Sequence, residues 1–332
     1  MSKTILASRL LSQTGLGALI RRTSQHHGFV ALNYHRIGDP RKSNFDRGVF
    51  SGSSGMFEKQ LRFLKKECDV ITPDDIANLS SRSRGNYAMI TFDDGYADNF
   101  EAAFPALHVL GLSAVFFVAT GFLDQPKISW WDEIAWMVRN SKAVEVGPTA
   151  MLPACIVFDE PARERAIDSL LAVYKKLPPS VTNTFLNDVA ESTGSGRHPP
   201  GAVGQTWMTW DNIREMRKAG MVIGGHTVNH PVLSTLSCAE QRLEILGCAQ
   251  TIQENLGEPM RYFSYPRGKC GSFNADTRQC LREANVQYAF SYYGGMNHSQ
   301  PGDPYDVHRV AVDDGMPLEH FEAVVTLPRL FA

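Results

Sequence analysis

The chain has 332 residues, 43% of them hydrophobic and 20% charged, with a formal net charge of −2. That balance belongs to a globular protein with a sizeable core. It excludes a nucleic-acid binder, which carries a basic stripe, and a helical membrane span, which needs about 20 consecutive apolar residues.

Residues 1–27, "MSKTILASRLLSQTGLGALIRRTSQHH", predict a leucine-rich amphipathic helix ending at Arg21 and Arg22. Arg9, Ser12 and Gln13 interrupt the apolar core that a signal peptide requires, so the protein is expected in the cytoplasm. The helix is read first as packing on the domain and second as a peripheral contact with the inner face of the membrane. The six cysteines form no CxxC and fit reduced thiols.

Residues 28–332 are expected to form one catalytic domain. "GFVALNYH" (28–35) has strand composition, and "MFEKQLRFLKKE" (56–67) has helical spacing. Pro73 opens a helix, where its missing N–H does no harm. "YAMITF" (87–92) predicts a strand, and 98–111 a helix interrupted by Pro105. "SAVFFVAT" (113–120) is an apolar run suited to a strand buried on both faces. From about 130 to 205 the alternation breaks into helical stretches and a polar loop, read as an insertion. It resumes with a helix at 209–220, the strand "MVIGG" (221–225) and a helix with a Ser237–Glu240 capping box. "RYFSYP", "QYAFSYY" and "HRVAV" read as strands, and a last helix begins at Leu318. Such alternation predicts an α/β fold with a mostly parallel sheet, with enough units to curl into a (β/α) barrel.

Asp93 and Asp94 directly follow one predicted strand, and His226 follows another. The C-terminal ends of parallel strands carry the active site in such folds, so both fall on one rim. His226 and His230 are four apart, and on one helical turn that spacing puts both rings on the same side. Two histidines and one carboxylate form a three-ligand site with an open position, suited to catalytic zinc. The second aspartate is then free to act as a base. An Asp–Asp turn before Gly95, capping the next helix, is the plain structural alternative.

"TFDDGY" (91–96) and "HTVNHP" (226–231) resemble the first two signature motifs of the polysaccharide deacetylases, the NodB-homology or carbohydrate esterase 4 proteins. The resemblance implies a distorted (β/α) barrel and a divalent-metal hydrolase acting on N-acetyl groups of a poly- or oligosaccharide. Asp94, His226 and His230 would hold the metal, zinc first, with cobalt, nickel or manganese as alternatives. Asp93 would be the base. "SYPRG" (264–268) matches the third motif but has Ser264 where the family places the arginine that orients the base; Arg267 or Arg309 is expected to replace it. The Arg267 backbone N–H is the expected oxyanion donor. "LNYHRIGD" (32–39) resembles the N-terminal motif of the exopolysaccharide branch and makes His35 the acid, ahead of His320 in "LEH" (318–320). Tyr96, Tyr265 and Arg309 are the expected substrate contacts. Other readings stay open: an O-acetyl esterase, a deacylase of lipid-linked sugars, an Fe(II) oxygenase with a facial triad, or a degenerate glycan-binding protein.

Overall fold

The computed structural model describes residues 3–23, 28–79, 85–152, 154–158, 162–199, 201 and 204–332. One nine-stranded sheet organises them. Its strands are β1 (Gly28–Tyr34), β2 (Asp69–Val70), β3 (Tyr87–Phe92), β4 (Val115–Val118), β5 (Val222–Gly225), β6 (Tyr262–Ser264), β7 (Tyr288–Phe290), β8 (Asn297–His298) and β9 (Arg309–Ala311). The order β7–β6–β5–β4–β3–β1 is parallel throughout. β9 joins β1 in parallel, β2 joins β3 in parallel, and only β8 runs antiparallel. A parallel bridge from Phe290 to Val307, just before β9, brings the two ends of the sheet together. The sheet therefore curls into the distorted barrel that the βα alternation predicts.

The period-two alternation of strand side chains divides the core in two. Phe29, Ala31, Met89, Val115, Phe117, Tyr262, Phe290 and Val307 pack inside the curl. Val30, Leu32, Ile90, Phe92, Phe116 and Val118 face outward against helical residues such as Leu61, Leu107, Met216 and Phe321. β4 is buried on both faces, as its unbroken apolar run requires. The same parity aims Asn33, Thr91, Ser264 and Arg309 inward, one layer below the C-terminal rim.

Several local expectations are modified. The single N-terminal helix is two, α1 (Lys3–Gln13) and α2 (Leu16–Thr23). They break at Gly15, which takes φ 70°, where a residue without a Cβ is unstrained. Both helices pack on the helix Leu318–Thr326. Residues 24–27 lie outside the described residues. The 98–111 helix opens with a widened turn at Asn99–Ala103 before the regular helix Phe104–Leu110, since Pro105 has no N–H to donate. The 130–205 stretch contains the helices Trp130–Arg139, Arg163–Tyr174 and Pro179–Thr193. Its Ile134, Met137, Leu170 and Val189 join the same apolar cluster as the outer face of the sheet. Among the described residues, no helix is long and apolar enough to cross a membrane.

Gly224 sits where β5 approaches its neighbours. A Cβ there would lie 2.5 Å from the Phe117 ring and 2.8 Å from the Tyr262 carbonyl oxygen. The backbone oxygen belongs to a paired strand and cannot move aside. Gly224→Ala should therefore lower the unfolding free energy by about 1–3 kcal/mol, read as a lower urea midpoint with an unchanged m-value.

Candidate metal centre and active site

Asp93 and Asp94 leave β3 in different directions because the chain turns between them. Asp94 has φ 75° and is followed by Gly95 at φ 92°. Asp93 keeps the inward parity of Met89 and Thr91 and points into the barrel, while Asp94 points at the histidines. Asp94 Oδ1 lies 3.5 Å from His226 Nε2 and 3.4 Å from His230 Nε2. One donor atom from each of the three residues falls within 4.8 Å of the others.

The histidines are not on a helical turn. Residues 226–230 form an irregular bend in which Thr227 and His230 take left-handed φ of 68° and 56°. The i, i+4 spacing still brings the rings together, with centroids 4.6 Å apart. The bend is held by Glu244, whose carboxylate accepts the N–H groups of Val228 (2.9 Å) and Asn229 (2.7 Å) and the Asn229 side-chain amide (2.8 Å). Thr227 Oγ1 accepts the His230 N–H at 2.9 Å. Sequence reasoning missed Glu244, because nothing local marks a helix-face glutamate as a partner for a loop 16 residues earlier.

The donor set fits a cation. His226 Nδ1 lies 2.7 Å from the Ser264 carbonyl oxygen, which can only accept, so Nδ1 carries a proton and Nε2 is the nitrogen turned toward Asp94. Asp94 Oδ1 and His230 Nδ1 are buried with no hydrogen-bond partner among the described residues. Burial, then the charge of His226, lowers His230 to about 3, so its ring is neutral at working pH. Burial works against charge on His226, yet Asp93 and Asp94 raise its affinity for a proton above the ordinary value. The same negative field favours a cation at this position.

Arg309 reaches Asp93 from β9. Its Nη1 and Nη2 each donate at 2.8 Å to Asp93 Oδ1 and Oδ2. Nη2 also donates to Ser264 Oγ (2.7 Å), Nη1 to Asn33 Oδ1 (3.0 Å), and Nε to the Ser291 carbonyl (3.1 Å). Ser264 thus leaves the space that this guanidinium fills. Burial alone pushes Asp93 up, but Arg309 and then His226 hold its carboxyl well below the usual carboxylate range. Of the two arginines expected near the base, only Arg309 contacts Asp93.

These groups open onto a cavity of about 270 Å³ lined by His35, Asp93, Asp94, His226, His230, Tyr265, Arg267 and Tyr292. His35 is fixed through its backbone, its N–H donating to Ser51 Oγ (3.0 Å) and its carbonyl accepting from Asn99 (2.7 Å). Arg267 stands at φ 62°, and its backbone N–H donates to no described residue. Trp130, Trp131, Asp168, Leu171 and Lys175, from the 130–205 stretch, form one wall, a contribution that stretch's composition does not announce. The Trp131 ring lies 4.5 Å from that of His230.

Two expected substrate contacts are corrected. Tyr96 is wholly buried; its OH donates to Asp132 (2.8 Å) and accepts from Trp131 Nε1 (2.6 Å), and its ring stacks on Trp207. Arg309 borders the cavity, but its side chain has zero exposure and its guanidinium is committed to Asp93, Ser264 and Asn33. Tyr265 does line the cavity, although its OH is committed to the Tyr305 carbonyl at 2.8 Å. His320 is outside that cavity, with Nδ1 2.9 Å from Ser8 Oγ.

Comparison with known proteins gives the same fold. The PplD deacetylase of Streptococcus pyogenes, solved with acetate, superposes with a TM-score of 0.57 at 18% identity, over 88% of this chain and 95% of that one. IcaB of Ammonifex degensii gives 0.55 at 21% identity, over 92% and 98%. YxkH of Bacillus subtilis, which bears a polysaccharide-deacetylase name, is 19% identical over 273 residues, 81% of this chain and 68% of that protein. The polysaccharide deacetylase family model matches residues 80–147 and 154–289, which carry both aspartates and both histidines. That match spans more than half of the sequence, and the chain belongs to the polysaccharide deacetylase family.

Proposed function

We propose that this protein is a metal-dependent hydrolase that removes N-acetyl groups from an N-acetylated poly- or oligosaccharide. The observation that carries this reading is the buried set Asp94, His226 and His230 directly beside a carboxylate clamped by Arg309. PplD, of the same fold, was solved with acetate, the product of such a reaction. Zinc suits two imidazoles and a carboxylate with an open position, and cobalt, nickel or manganese accept the same donors.

Asp94, His226 and His230 would hold the metal, which when bound polarises an acetyl carbonyl and acidifies the attacking water. Asp93 takes the proton from that water. Arg309 grips both Asp93 oxygens, and Ser264 and Asn33 donate to Oδ2, the oxygen 4.0 Å from His226 Nε2, so the carboxylate is held in one direction beside the centre. The Arg267 N–H donates to the oxyanion that develops on the carbonyl. An amine leaves only when protonated, and His35, on the same cavity, delivers that proton to the sugar nitrogen. Tyr265 and Tyr292 border the space for the sugar.

Three outcomes test this reading. Dialysis against a chelator should abolish acetate release from N-acetylglucosamine oligomers, and added zinc or cobalt should restore it; activity that survives complete metal removal would sink the proposal. Asp93→Asn should lower turnover by about 10²–10⁴-fold while metal content, measured by elemental analysis, stays at the wild-type level. Arg309→Met tests the clamp. Asp93 is held below its ordinary value, so the pair's contribution is complete above the unfolded carboxylate pKa of about 4 and fades only as pH falls below it. Without Arg309, burial dominates and the carboxyl rises. The acid limb of kcat/KM should then move to higher pH, with a loss of about 3–5 kcal/mol in stability.

A further inference from the structure

The two N-terminal helices pack the wrong way round for helices that merely cover a core. Ser8 and Gly17 are their buried residues, while Leu6, Leu10, Leu16 and Leu19 are 53%, 55%, 48% and 56% exposed. Residues advance by about 100° along a helix, so Leu6 and Leu10 share the side of α1 opposite Ser8, and Leu19 lies on the side of α2 opposite Gly17. The inward faces are tied down by polar contacts. Ser8 Oγ meets His320 Nδ1 at 2.9 Å, and Arg21 bonds Glu67 (2.9 Å) and Thr326 (2.8 Å). The leucines therefore face away from a scaffold that is already fixed.

Charge says what covers them. No acidic residue occurs before Asp39. The nearby acids Glu67, Glu319 and Glu322 belong to the packed side, where Glu67 is taken by Arg21. Lys3, Arg9 and Arg22 have no ion-pair partner among the described residues. On the helical wheel Lys3 and Arg9 flank the α1 leucines, and Arg22 flanks Leu19. A second copy of the chain would bring the same three cations to the same face, which opposes association. An anionic bilayer supplies both complements, an apolar boundary for the leucines and phosphates for the cations.

We propose that α1 and α2 form a docking face for an anionic lipid surface, with Leu6, Leu10, Leu16 and Leu19 entering the acyl boundary and Lys3, Arg9 and Arg22 meeting the headgroups. This rests on the N-terminal helices alone and is independent of the reaction assigned to the metal cavity. The test is co-sedimentation of the full chain with vesicles of phosphatidylcholine alone or mixed with phosphatidylglycerol. Wild type should partition onto the anionic vesicles, less so at high salt. L6Q/L10Q/L16Q/L19Q and K3Q/R9Q/R22Q should each lose at least ~10-fold in partitioning, with melting temperature and bound metal unchanged. Failure of wild type to bind anionic vesicles, or equal binding by either variant, overturns the proposal. So does a concentration-dependent dimer in light scattering that the leucine variant abolishes, which gives the face to a second copy. A lower melting temperature in the leucine variant would show those side chains to be packed, and overturns it too.

Discussion

The Arg309–Asp93 pair is the interaction around which the inside of the barrel is arranged. Two charges taken fully out of water persist only if every remaining donor and acceptor is met. Here Asn33, Thr91, Ser264 and the Ser291 carbonyl meet those of the guanidinium. Below this polar layer pack Phe29, Ala31, Met89, Val115 and Phe290, with the Phe117 ring under the guanidinium at 5.5 Å. The pair is costly as a stabilising device and well suited to keeping one carboxylate ionised and fixed in direction. A small residue at 264 and a long cation at 309 are two halves of one solution, since an arginine at both positions would not fit.

The residues gathered at the cavity sit where the backbone is under tension. Among the described residues, five non-glycine residues have positive φ, and four of them are Asp94, Thr227, His230 and Arg267. Left-handed backbone is disfavoured for residues with a Cβ, so each bend needs support from its surroundings. Glu244 supplies it for the histidine bend through three hydrogen bonds, and Gly95 accepts the sharper turn after the aspartates. Such strain at strand ends turns side chains that would point along the sheet toward a common centre.

The 130–205 stretch lends side chains to the wall of the cavity. It shares the outer core, sets Trp131 against His230 and closes one side of the cavity with Asp168 and Lys175. The N-terminal helices do the opposite. They are fastened by polar contacts and leave Leu6, Leu10, Leu16 and Leu19 outside.

The sequence by itself determined the parts that depend on near neighbours. Apolar runs and their punctuation marked the strands, and the capping box at Ser237 and Glu240 appears as expected. The adjacency of Asp93 and Asp94 and the spacing of His226 and His230 were legible because the residues that meet are close in the chain. Only the tertiary structure decided which arginine clamps Asp93, because Arg309 lies 216 residues from Asp93 and reaches it through the pairing of β9 with β1. It also decided that Tyr96 turns away from the cavity toward Asp132, and that Glu244 braces the bend that carries His226 and His230. Local pattern sets the kind of element and the parity of its side chains. Which side chains converge follows from strand order and register, and these are settled by the packing of the whole core.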